Sequence, residues 1–82
     1  MNIKILDSWL RDFLKTKATP AEIAKDLSLT SVSIERIETY KDDYLYDIEV
    51  TTNRPDVASV VGLAREAAAV LPEFGIQAEF VP

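Results

Sequence analysis

Apolar residues in this chain recur at two spacings, and the spacing switches several times along its length. Ile3 and Ile5 alternate with Asn2 and Lys4, the two-residue period of a short strand. Leu6, Trp9, Leu10, Phe13 and Leu14 then recur at i, i+3, i+4, i+7 and i+8, which predicts a helix starting at Asp7 or Ser8. Trp9 and Phe13 lie one turn apart on that stripe and are expected in the core, because aromatics carry much of a small core's burial. The alternative for this pair is an exposed aromatic contact. Residues 15–18 read as a loop. Thr19, Pro20, Ala21 and Glu22 follow as an N-cap, a proline at the first helical position and the acid that closes a capping box. That short helix turns Ile23, Ala24 and Leu27 inward, ends near Ser28 and needs tertiary packing to be stable.

Val32, Ser33, Ile34 and Glu35 alternate like a half-buried strand. Ile37 is out of phase with Ile34, which predicts a bulge or strand end near Arg36. Residues 40–44 have turn chemistry. The return strand, 45–51, puts Tyr46, Ile48 and Val50 on one face and Asp47, Glu49 and Thr51 on the other, so the two strands form an antiparallel hairpin. Asp47 and Glu49 share a strand face but have no third ligand in view, so a solvated face is expected rather than a metal or acid/base pair.

The stretch 51–71 predicts the longest helix. Pro55 cannot sit in a central strand and pushes Arg54 away from helical geometry, so the helix begins after it, with Asp56 as cap. Val57, Val60, Val61, Ala64, Ala67, Ala68 and Leu71 form its buried face, and Pro72 and Gly75 stop it. Gly62, inside the helix, costs about 1 kcal/mol relative to Ala, and the expected compensation is close approach of another backbone. Residues 76–81 alternate again and add an edge strand. The class read from these elements is α+β, three helices plus a short antiparallel sheet, as a single domain over 1–82. A chain that stops on a strand reads as a piece of something longer.

Composition narrows the chemistry. With 82 residues the chain is near the lower limit for a self-sufficient core. Its net charge of −5 opposes phosphate backbones. It has no Cys and no His, which removes disulfides, thiol chemistry, most zinc sites and the usual neutral-pH proton shuttle. No apolar run approaches membrane-spanning length and the start lacks a signal-peptide core, so a cytoplasmic location and no membrane partner are expected. Two successive helices raise a helix-turn-helix, but the second offers Glu22, Lys25 and Asp26 where a base reader needs Lys, Arg, Asn or Gln, so DNA is not expected as a partner.

Several motifs together resemble the amino-terminal domain of the bacterial phenylalanyl-tRNA synthetase beta subunit. They are the Trp-Leu pair at Trp9 and Leu10, the helix start at Thr19 to Glu22, the two strands, and above all Thr51, Thr52, Asn53, Arg54, Pro55, Asp56, then Ser59, then Gly62, Leu63, Ala64, Arg65 and Glu66. The resemblance covers essentially the whole chain. Two departures stand out. Ser31 replaces a glycine that usually precedes the first strand. The family usually inserts an oligonucleotide-binding-fold module between the strands, whereas here residues 39–43 alone join them, so the module is either naturally lacking or has been removed.

The resemblance implies a small winged-helix-like scaffold within an assembly of two alpha and two beta subunits that charges tRNA(Phe) with phenylalanine using ATP and magnesium. The aminoacylation site would lie in the alpha subunit and editing in a later beta-subunit domain. No catalytic, cofactor-binding or metal residue is therefore expected in this chain. Its partners would be the alpha subunit, other beta-subunit domains and, in the whole assembly, tRNA(Phe). The residues singled out for structure or partner contact are Asn53, Arg54, Pro55, Asp56, Ser59, Arg65 and Glu66. Arg54 can fork onto a carboxylate, with Glu66 and then Glu49 as partners. Asp56 caps, and Ser59, at the third helical position, shares the exposed amides. The alternative is that this helix start and Arg54 hold a tRNA phosphate or a partner's carboxylate. Against this scaffold reading stand a free-standing winged-helix-like module for nucleic acid or protein, and a small enzyme, which the lack of any convergent acid/base set disfavours.

Overall fold

The computed structural model describes residues 2–30, 32–51 and 55–82, with Pro55 described for its backbone alone. Strand β1 (Asn2–Leu6) leads into a single helical turn, α1 (Asp7–Leu10), and a short strand β2 (Leu14–Thr16). Helix α2 (Pro20–Thr30) precedes the hairpin of β3 (Ser33–Tyr40) and β4 (Asp43–Glu49). A 3-10 turn, Pro55–Val57, leads to helix α3 (Val60–Val70), a second 3-10 turn, Leu71–Phe74, and strand β5 (Ala78–Phe80). Two antiparallel sheets result: a three-stranded one in the order β1-β4-β3, and a two-stranded ribbon of β2 and β5. The α+β class with three helices and a small antiparallel sheet is what the spacings predict.

The large sheet is built as its alternation requires. Ile3 and Ile5 on β1 face Ile48 and Tyr46 on β4, and Ile34 and Ile37 on β3 face the same two residues from the other side. The register shifts between Ile34 and Arg36. The extra residue, Glu35, is what returns Ile37 to the core side, so the bulge falls where the phase slip in the sequence put it. A two-residue turn closes the hairpin, with Lys41 at a φ of 56°, a left-handed conformation that costs a lysine about 1–2 kcal/mol. The closed hairpin carries no module between its strands. Tyr46, Ile48 and Val50 are buried in one core with Leu10 of α1, Leu27 of α2, Leu63 of α3 and Leu71 of the turn that follows it. Leu63, fully buried, extends the predicted apolar face of α3, while Val61 and Ala68 are only half-buried.

Several expectations fail, each for a tertiary reason. The helix predicted through Leu14 stops at Leu10. Residues 14–16 instead pair with Phe80, Glu79 and Ala78 of β5, and Val81 donates to the Phe13 carbonyl at 2.8 Å. Long-range pairing thus outcompetes a local helical period, and the predicted loop at 15–18 begins as a strand. Trp9, expected in the core, is 52% exposed, whereas Phe13 packs against the core. Asp47, expected on a solvated face, is buried, because Arg36 at 3.2 Å and the Asn2 amide at 3.1 Å cover its carboxylate. Asp26, offered as a surface residue of a recognition helix, is also buried. Helix α3 is no longer than α2, each having 11 residues.

Candidate functional site

The turn into α3 carries most of the residues singled out in the sequence. Asn53 and Arg54, and with them the expected fork onto Glu66 or Glu49, lie outside the described residues. Pro55 and Asp56 do not start the α-helix but form a separate 3-10 turn with Val57. The cap of α3 is Ser59, not Asp56. Its backbone is extended (φ −149°, ψ 160°) and its Oγ accepts from the Gly62 amide at 3.0 Å. Ser59 therefore stands before the helix rather than at its third position, and its carbonyl accepts the first helical bond, from Leu63, at 2.9 Å. The physical reason is the bend at residues 58–59, which lets Val57 drop into the core, fully buried, before the helix begins.

Gly62 makes this bend possible. A Cβ placed there would sit 1.7 Å from the Asp56 carbonyl oxygen. The close backbone approach expected to offset a helical glycine is thus present, and the approaching backbone is the preceding turn. The structure brings Asp56, Ser59 and Gly62 together. Arg65 is directed elsewhere, with its guanidinium 5.0 Å from the centre of the Phe80 ring, tying α3 to β5. Glu66 is half-buried on the next position of α3.

A second polar cluster, which the sequence reading missed, lies where α1 meets β4. The Tyr46 hydroxyl donates to the Asp7 carboxylate at 2.5 Å. Arg11, one helical turn on, donates to the same carboxylate at 3.2 Å and to the carbonyls of Thr16 at 3.1 Å and Ala18 at 2.6 Å. Burial, reinforced by the Asp7 carboxylate, pushes the Tyr46 hydroxyl well above an ordinary tyrosine. Beside it, Asp43 at the start of β4 accepts from the Ser8 hydroxyl and from the Ser8 amide at 3.2 Å. Those bonds, the hydroxyl first, hold the Asp43 carboxyl below its ordinary value. Leu6, the residue before α1, makes no side-chain cap, so Asp43 supplies one from across the fold. The i, i+4 spacing of Asp7 and Arg11 was the visible signal; the contribution of Tyr46 and Asp43 needed the sheet register.

Chemically these clusters tie elements together. Among the described residues no group of three or more Cys, His, Asp or Glu is placed to hold a metal ion, and no helix is long and apolar enough to cross a membrane. A groove of about 1110 Å³ lies beside the β2–β5 ribbon and is open and of mixed charge, with Lys15, Lys17, Glu22 and Glu79 on its walls.

The beta subunit of phenylalanine–tRNA ligase from Rhodopirellula baltica is 37% identical to this chain over 62 residues, 76% of the chain. The chain is a relative of the phenylalanine–tRNA ligase beta subunits. The chloroplastic beta subunit of Porphyra purpurea is 32% identical over 73 residues, 83% of the chain. A beta subunit of Prochlorococcus marinus subsp. pastoris is 62% identical over a shorter stretch of 29 residues. The chain spans about a tenth of its beta-subunit relatives, 9% of the Rhodopirellula protein and 10% of the Porphyra one. No protein-family model and no solved structure matches it.

Proposed function

We propose that this chain is a non-catalytic assembly module of a phenylalanine–tRNA ligase beta subunit, the amino-terminal unit of that subunit. The observation that carries the reading is the relation to beta subunits over 76% and 83% of the chain. The chemistry of the chain supports it. Its clusters of charged groups are spent on joining elements: Asp7 with Arg11 and Tyr46, Asp43 with Ser8, Arg36 with Asp47. In the whole enzyme, two alpha and two beta subunits in the cytoplasm would charge tRNA(Phe) with phenylalanine, with ATP and magnesium engaged outside this unit. Asp56, Ser59 and Glu66, with the neighbouring Asn53, Arg54 and Pro55, would hold the unit's shape, and Arg65 would fix β5 against α3. The alternative of a free-standing nucleic-acid module has the acidic balance against it, with a net charge of −5.

The test is a beta subunit of the same source lacking this segment, co-expressed with its alpha subunit. The expected result is an assembly that dissociates on size-exclusion chromatography and charges tRNA(Phe) poorly, with both defects reversed when this chain is added separately. An assembly that stays intact and charges at the full rate without the segment would sink the reading.

A further inference from the structure

Strand β3 closes one side of the large sheet, and among the described residues no strand lies beyond it. The geometry of its outer edge follows from the register. Tyr40 and Asp43 flank the two-residue turn, so they exchange backbone bonds, and alternation makes Glu38 with Leu45 and Arg36 with Asp47 the next bonded pairs. The N–H and C=O groups of Ile37 and Thr39 therefore point away from β4. Nearer the bulge the edge is closed, because the Ile34 amide donates to Ser28 Oγ at 3.0 Å. An unpaired strand edge is a template for another strand.

The side chains along this edge carry both signs of charge. Ile37 packs against the core, and its neighbours Arg36 and Glu38 stand on the opposite face of the sheet. Arg36 uses its Nε on Asp47, and Glu38 meets Lys4 through Oε2 at 3.2 Å. The two terminal amino groups of Arg36 and the Oε1 of Glu38 have no hydrogen bond among the described residues. A second β3 can add antiparallel only with outward-pointing residues facing each other, so the two-fold axis must pass at a single residue. Centred on Arg36, the pairing sets two guanidinium groups together; centred on Glu38, it sets two carboxylates together. Centred on Thr39, it pairs only residues 38–40 of each strand. Centred on Ile37, the backbone groups of the two Ile37 residues meet, and each Arg36 stands opposite the Glu38 of the other copy. Opposite charges placed so stabilise an antiparallel pair, and like charges oppose it. The other outer strands lack this pattern: β1 carries Lys4 alone, β2 Lys15 alone and β5 Glu79 alone.

We propose that two copies of this chain pair edge to edge through β3, around a two-fold axis at Ile37, so that one sheet runs β1-β4-β3 into β3-β4-β1 of the other copy. The contact is isologous and closes at two copies. It concerns this chain with itself and does not rest on the assembly role. The net charge of −5 on each copy opposes it, so the dimer is weak and needs salt to screen that charge.

The 82-residue chain is followed by sedimentation equilibrium at about 0.15 M salt, up to about 1 mM, where an association worth a few hydrogen bonds is populated. The mass should rise from 9.2 kDa towards twice that value. In NMR spectra the amides of residues 36–39 should shift with concentration, and a mixture of labelled and unlabelled chains should give contacts between Ile37 of one copy and Ile37 of the other. Glu38→Lys sets a like charge against Arg36 of the other copy and should weaken the dimer at least about tenfold. If that variant fails to fold, the contacts between copies of the wild-type chain carry the test. A mass that stays at 9.2 kDa at the highest concentration would overturn the pairing. So would a dimer whose shifts fall on β1 or on the β2–β5 ribbon. Shifts at residues 36–39 that appear only when a beta subunit lacking this segment is added would give the edge to that polypeptide and overturn the second copy. Each of these results leaves the assembly role standing.

Discussion

At Tyr46 the ring is fully buried while the hydroxyl meets the Asp7 carboxylate at 2.5 Å. Replacing Tyr46 by Phe keeps the ring and removes a bond to a charged group, so a loss of about 1.5–3 kcal/mol is expected from denaturant melts. The pH dependence has a definite sign. The folded hydroxyl titrates above its ordinary value of 10, so ionisation is easier in the unfolded chain. The stability due to this shift is fully present below pH 10 and is lost as pH rises beyond it. Melts of the wild-type protein should therefore steepen in their decline above pH 10, and Tyr46→Phe should lose that part of the slope. A decline identical in both proteins would remove the role assigned to this hydroxyl.

Among the elements, α3 tests how a helix start is specified. Gly62→Ala should gain about 1 kcal/mol from helix propensity. It also puts a methyl 1.7 Å from the Asp56 carbonyl oxygen, and a backbone oxygen cannot swing aside as a side-chain tip would. The clash should win, giving a net loss of about 1–3 kcal/mol in thermal or urea melts; a stabilised variant would refute the close approach. This glycine was legible in the sequence because its cost demanded a compensation. So were the capping box, where the Thr19 amide reaches Glu22 at 2.8 Å and the Glu22 amide reaches Thr19 Oγ at 3.2 Å, and the bulge at residue 35. What was not legible depended on distant partners. Leu6, Leu10 and Leu14 have a helical period whether or not β5 is there to claim Leu14. Asp56 and Ser59 both read as caps, and the choice between them depends on the bend that buries Val57. Asp47 alternates like a surface residue, and the side chains of Arg36 and Asn2 from neighbouring strands bury it.

For the whole molecule, the hairpin and α1 are joined at Asp43 as well as through the core. This carboxyl is held below its ordinary value of 3.8, so the unfolded chain binds the proton more readily. The contribution is complete above that value and disappears as pH falls through the lower folded value. Between pH 5 and 2 the wild-type protein should lose stability more steeply than Asp43→Asn, and a carboxyl resonance titrating below 3.8 should mark the residue by NMR. A carboxyl that titrates at or above 3.8 would refute the bonds to Ser8. The limits of sequence reading are clearest at this scale too: each half of the Ser8–Asp43 pair looks like an ordinary surface residue until the hairpin and α1 are docked.

The same contact imposes an order in time. The cap of α1 lies 35 residues downstream of Ser8, β1 pairs with residues 45–49, and β2 waits for residues 78–80. During synthesis the first forty residues thus have a helical turn without its cap and three strands, β1, β2 and β3, without neighbours. The α2 helix, closed by its own Thr19 and Glu22, is the piece ready to form first. Emergence of β4 completes β1 and α1 in one step, and the ribbon closes last of all. Contacts so far apart in sequence slow folding, so a nascent chain that has emerged only as far as residue 42 would hold an exposed, unpaired β1, and one that has emerged past residue 49 would have a nearly finished sheet.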